Sequence, residues 1–165
     1  MYNKILVPLD GSELAEQVLT QVMELANSTG AEIVLLRVPD VPVYDYLMTV
    51  PELGSKMREQ AEDDARNYLA RLGEEFRAMG LKVQTHLAYR GAVYTTILEV
   101  AQELRVDMIA MSTHGRSGLA RLVMGSVADD VVRHARMPVL VMRPQPVNAA
   151  RRADYDAPYA TLPVH

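Results

Sequence analysis

The chain alternates between two hydrophobic periods, and that alternation leaves few folds open to it. Short apolar runs stand at Lys4-Ile-Leu-Val-Pro8, Glu32 to Val38, Val106 to Met111 and Pro138 to Arg143, with an alternating polar–apolar run at Leu81 to Leu87. These have the length and period of strands. Between them, apolar residues recur at helical spacing. Leu14, Val18, Val22, Leu25 and Ala26 predict an amphipathic helix over residues 13 to 28, with Gly30 as a left-handed stop. Met57, Ala61, Ala65, Tyr68, Leu72, Phe76 and Met79 mark one face of a long second helix, capped by Ser55 and ended by Gly80. Val93, Ile97, Ala101 and Leu104 mark a third, and Val127 to His134 a fourth. Pro39 to Gly54, with three prolines and two tyrosines, reads as a long surface loop.

Strand and helix in strict alternation, with short connections, require parallel strands and right-handed crossovers. The expected fold is therefore α/β: a single-domain, three-layer, doubly wound five-stranded parallel sheet. The second strand is almost wholly apolar, as a strand covered on both faces should be. The third alternates and is expected at a less covered edge. Pro144 to His165 holds four prolines, two arginines and two tyrosines without apolar periodicity, and reads as a flexible tail beyond a domain spanning residues 1–143.

A chain of 165 residues, 49% hydrophobic, has enough apolar material for a real core. Its net charge of −4 argues against a dedicated nucleic-acid binder. Lack of cysteine excludes disulfides, thiolate metal sites and cysteine nucleophiles. No run approaches the ~18 apolar residues of a membrane span, and the N-terminus enters a strand at once without a secretory pattern. A cytoplasmic protein without a membrane partner is the expectation.

One segment carries chemistry. Ser112-Thr-His-Gly-Arg-Ser-Gly-Leu-Ala-Arg-Leu-Val-Met-Gly-Ser126 joins the fourth strand to the fourth helix. A strand, a glycine-bearing loop and a helix start aim unpaired amides and the positive helix end at one point, which suits a phosphate. The sequence has neither G-x-x-x-x-G-K-[ST] nor a G-x-G-x-x-G after its first strand. Arg116 and Arg121 are available to neutralise a polyphosphate by forked contacts.

The chain resembles the nucleotide-binding universal stress proteins. Their fingerprint is Gly, two residues, Gly, nine residues, then Gly followed by Ser or Thr. Gly115, Gly125 and Ser126 match it, while Ser112 stands at the first glycine position. Ile5-Leu-Val-Pro-Leu-Asp-Gly-Ser12, Leu36-Arg-Val38 and Met137-Pro-Val-Leu-Val-Met142 match as well. The resemblance implies a Rossmann-like, adenine-nucleotide alpha hydrolase-like sheet whose order reverses between strands one and four. It also implies ATP, or AMP or ADP, in the crevice there. Asp10, with Pro8 and Leu9 before it, then approaches the adenosine end, and the Val38 backbone accepts the adenine. Gly115, Gly125, Ser126 and Val127 hold the ribose and phosphates, flanked by Ser112, His114, Arg116 and Gly118. Mg2+ is expected only with the nucleotide. The resemblance also points to a homodimer, and the apolar last strand, Val139 to Met142, is the expected contact.

Plainer readings exist for each feature. Asp10 with Glu13, or Ser12, would cap the first helix. Gly115 and Gly118 would permit a tight loop, and Gly125 close packing or a positive φ. His114 lacks an adjacent nucleophile or carboxylate, so a loop-stabilising or phosphate-facing role suits it better than proton transfer. Asp129 and Asp130 read as a solvated face rather than a metal pair. Tyr44 and Tyr46 are positioned to cover a base. With no evident general base, fast phosphoryl transfer is not expected, and a nucleotide-binding regulator is preferred to an enzyme. The alternatives are an interaction module whose pocket Ser112 has closed, and an adenylyl-transfer or sulfur-transfer enzyme.

Overall fold

The computed structural model describes residues 2–39, 51–89, 91–113 and 124–144. The elements follow in the order β1 (Lys4–Leu9), α1 (Glu13–Glu16), α2 (Val18–Thr29), β2 (Glu32–Arg37), α3 (Pro51–Ala78), β3 (Val83–Leu87), α4 (Val93–Glu103), β4 (Met108–Ser112), α5 (Ser126–His134) and β5 (Val139–Met142). All strand pairs are parallel, in the order β3-β2-β1-β4-β5. The chain winds outward from β1 to β3, then crosses to the other side for β4 and β5. This is the doubly wound sheet that the alternation predicts, with the weakly apolar β3 at one edge and β5 at the other.

Successive strand residues face opposite sides, and each side has its own core. On one, Ile5, Val7, Ile33, Leu35 and Ala110 pack with Leu19, Val22 and Met23 of α2 and Leu72 and Phe76 of α3. On the other, Leu6, Val34, Leu36, Ile109 and Met111 pack with Ile97, Val100 and Ala101 of α4 and Ala128 and Val131 of α5. Burial of both faces explains why β1, β2 and β4 carry almost no polar residue.

Four local expectations are corrected. Residues 13–28 form two helices rather than one. Gln17, between them, keeps right-handed helical angles (φ −59°, ψ −25°), so the break lies in the hydrogen bonding rather than in backbone direction. The second helix of the sequence reading, α3, starts at Pro51, four residues before Ser55. A proline is at ease in a first helical turn, where its missing N–H has no partner to lose. The fourth strand runs from Met108 to Ser112 rather than from Val106 to Met111. The Val106 amide still closes α4 by donating to the Ala101 carbonyl at 3.0 Å. Asp107 is held by β1, its Oδ2 accepting from the Asn3 and Lys4 amides at 2.7 and 2.8 Å. The last helix begins at Ser126, one residue early. Gly30 meets its expectation: at φ 74° it ends α2 and donates to Ala26.

Candidate functional site

The sheet opens where its order reverses. β1 pairs with β2 along its whole length, from Lys4↔Glu32 to Leu9↔Arg37. With β4 it pairs only at Ile5↔Met108 and Leu6↔Ile109. β4 meanwhile stays paired with β5 as far as Ser112↔Met142. Past Leu6 and Ile109 the two central strands therefore lack ladder pairing, at the carboxyl ends where doubly wound sheets place their ligand crevice. Pro8 lies in this stretch and has no N–H to give a ladder. It is tolerated in a central strand because the pairing stops before it.

The far wall of the crevice is the start of α5. The Gly125 amide donates to the Thr113 carbonyl at 2.8 Å, which seats the helix start against the end of β4. Thr113 is itself tied to β5, its amide donating to the Met142 carbonyl at 2.8 Å. As N-cap, Gly125 has no side chain to satisfy the first turn of α5, and Ser126 and Val127 follow as the first helical residues. Amides of such a turn have no partner within the helix and form a site for negative charge. The expectation of a positive φ at Gly125 fails, since its angles are φ −62° and ψ 149°, open to any residue. Close approach is the reason for glycine here: a Cβ would lie 2.9 Å from the Thr113 carbonyl oxygen.

The near wall is the turn after β1. Asp10 Oδ1 accepts from the Ser12 amide at 3.0 Å and from the Ser12 hydroxyl at 2.6 Å. Ser12 caps α1, its Oγ accepting from the Ala15 amide at 3.2 Å. The capping ambiguity is thus resolved: Ser12 is the cap and Asp10 orients it. Ser112, the last residue of β4, is buried, and its Oγ has no hydrogen-bond partner among the described residues. Val38 is buried just past β2.

Arg37 is a contributor that sequence reasoning passed over. It is buried at the end of β2, and its Nη1 donates to the Leu9 carbonyl at 3.1 Å. The last carbonyl of β1 is thereby fixed immediately before Asp10. The available signal is a charge closing a strand that is apolar from Ile33 onward, which burial makes costly unless it is bonded. On the same face, burial pushes the Tyr68 phenol up, and the Glu16 carboxylate reinforces that rise. Burial also raises the Glu16 carboxyl, against the pull of Tyr68 and Arg71.

The fold thus gathers Pro8, Leu9, Asp10, Val38, Ser112, Gly125, Ser126 and Val127 at one end of the sheet, on β1, β2, β4 and α5. His114, Gly115, Arg116, Gly118 and Arg121 lie outside the described residues, as do Tyr44, Tyr46 and the stretch beyond Pro144. Asp129 pairs with Arg133 at 2.7 Å along the exposed side of α5, as a solvated face should. His134 closes α5, Nδ1 donating to the Asp130 carbonyl at 2.8 Å. Among the described residues no group of three His, Asp or Glu side chains could hold a metal ion. No helix among them is long and apolar enough to cross a membrane.

A doubly wound sheet with an open switch point beside a helix N-terminus defines a class, the α/β proteins that take ligands at their strand ends. The profile of the universal stress protein family matches residues 1–143, and the chain belongs to that family. It is 31% identical to universal stress protein MJ0531 of Methanocaldococcus jannaschii over 145 residues, 87% of this chain and 83% of that protein. The solved structure of protein MJ0577, from the same organism, is similar with a TM-score of 0.79 at 30% identity, covering 89% of this chain and 99% of that one. A universal stress protein of Archaeoglobus fulgidus, solved in complex with dAMP, shares the fold at a TM-score of 0.62 and 23% identity, covering 86% of this chain and 98% of that one.

Proposed function

We propose that this universal stress protein binds an adenine nucleotide, ATP foremost, in the crevice between β1 and β4, and that occupancy is the signal it passes on. The observation that carries this reading is the loss of β1–β4 pairing beside the glycine-capped start of α5. A polyphosphate would take its place against the amides of Ser126 and Val127, with Gly115 completing the cradle. The base would lie toward Val38, and the sugar near Asp10, whose carboxylate suits hydroxyl groups better than phosphates. His114, Arg116 and Gly118 would line the phosphate side. Mg2+ would come bound to the phosphates. The fold relative solved with dAMP supports the adenine class of ligand. Turnover is proposed to be slow, below about 1 per second, the low end of ordinary catalysis.

We also propose that a second copy covers β5. Leu140 is exposed on β5, an edge strand of the sheet among the described residues, between half-buried Val139, Val141 and Met142. A bare apolar edge strand invites pairing.

The deciding experiment is mass spectrometry of the supernatant from gently purified, then denatured, protein, together with calorimetric titration by ATP. Retained ATP, ADP or AMP, or saturable ATP binding, is expected. A clean supernatant and a flat titration would overturn the nucleotide reading in favour of an interaction module. ADP release faster than the limit above would make the protein an enzyme.

A further inference from the structure

Resting on the nucleotide reading, we propose that Arg37 is a positioning residue for the nucleotide: it touches no part of the ligand, and acts by holding the Leu9 carbonyl that sets the direction in which the chain enters Asp10. β1 loses its β4 neighbour after Leu6↔Ile109, and beyond that point is paired with β2 alone among the described strands. Leu9↔Arg37 is the last rung. There the Arg37 Nη1 donates to the Leu9 carbonyl at 3.1 Å. That carbonyl and the Asp10 amide share one planar peptide unit, so fixing the oxygen fixes the plane from which Asp10 departs. Downstream, the Asp10 carboxylate is bound to the Ser12 amide and hydroxyl. Gly11, between them, has no side chain to brace the turn. The carboxylate proposed to receive the sugar is thus held from both ends, by Ser12 after it and by Arg37 before it.

The guanidinium lies on the face away from the proposed base and phosphate seats. Ile33 and Leu35 pack with α2 and α3, Val34 and Leu36 with α4 and α5, so Arg37 belongs by alternation to the first face, as Leu9 does. Val38 and α5 pack on the second. Arg37 is also only 7% exposed. A buried charge is costly where an apolar side chain would bury freely. What arginine supplies here is a long side chain ending in donors, which reaches the neighbouring strand's carbonyl.

The test is a double-mutant cycle, read by calorimetric titration with ATP, on wild type, Arg37→Met, Asp10→Ala and the two combined. D10A should bind ATP about tenfold more weakly than wild type, as loss of a hydrogen bond to a charged group implies. R37M keeps a long buried side chain without its donors, and should bind ATP about fivefold more weakly. In the D10A protein R37M should cost no further affinity, because the group that Arg37 positions is gone. A general loosening of the fold would instead lower affinity in both backgrounds. Arg37→Gln, shorter and neutral, goes through the same cycle and should behave as R37M does, so that a folding failure of either variant leaves a cycle to read. ATP affinity in the Arg37 variants equal to or above wild type, an undiminished loss in the D10A background, or a D10A protein that binds ATP as wild type does would each overturn the inference while leaving nucleotide binding standing. Failure of wild type to bind ATP would instead overturn the nucleotide reading, and this inference with it.

Discussion

Replacing Gly125 with alanine asks whether this glycine serves backbone freedom or close approach, and the two answers differ in sign. At φ −62° and ψ 149° alanine is at ease. On backbone grounds alone the change should stabilise the fold by about 0.4–1 kcal/mol, by restricting the unfolded chain. The new methyl, however, would lie 2.9 Å from the Thr113 carbonyl oxygen, whose bond to the Gly125 amide measures 2.8 Å. Relief requires the α5 start to move off β4. Weakening that bond costs about 1 kcal/mol, and overpacking costs about 1–3 kcal/mol. The net is about 1–3 kcal/mol of destabilisation. For a chain of this length that is a fall in Tm of roughly 3–10 °C. Differential scanning calorimetry reads the fall, and titration with ATP reads the accompanying loss of affinity. Gly30→Ala is the control: its Cβ would meet open space, but φ is 74°, so it should cost about 1–2 kcal/mol through the backbone alone and leave ATP affinity intact. A G125A protein that melts at or above wild type, or binds ATP as tightly, would refute the reasoning.

Other perturbations probe other parts of the molecule. Phe76 is fully buried beneath α3, so Phe76→Ala should cost about 3–5 kcal/mol by urea titration; a cost below about 1 kcal/mol would contradict the packing. The Asn3 and Lys4 amides hold the Asp107 carboxyl below the usual carboxylate range. A carboxyl so lowered stabilises the fold above its unfolded value of about 3.9 and loses that contribution as pH falls through the folded value. Asp107→Asn should therefore melt below wild type at pH 7, with the gap closing below about pH 4; a gap independent of pH would be wrong for this cause. Leu140→Lys should convert a dimer to a monomer in light scattering with little change in Tm, and a wild type already monomeric at micromolar concentration would dispose of the β5 contact.

Periodicity made the strands and helices legible, because burying both faces of a parallel sheet leaves an apolar run wherever a strand passes. The edge position of β3 showed as well, in the alternation of Leu81 to Leu87. Boundaries were less visible. Pro51 carries the same local signal in a loop as in a first helical turn, so a cap at Ser55 places the start of α3 five residues late. The start of β4 depends on Asp107 meeting Asn3 and Lys4, more than a hundred residues away in sequence. No local pattern encodes that meeting.

The sequence by itself determined the α/β class and the order of elements, since each follows from local spacing and side-chain chemistry. Only the tertiary structure decided that β1 and β4 part beyond Leu6, that Arg37 secures the carbonyl before Asp10, and that Gly125 is needed for nearness rather than dihedral freedom. It alone left the Ser112 hydroxyl unpartnered among the described residues. These are contacts between segments distant along the chain, and they exist only once the burial of two cores has fixed where each strand end lies.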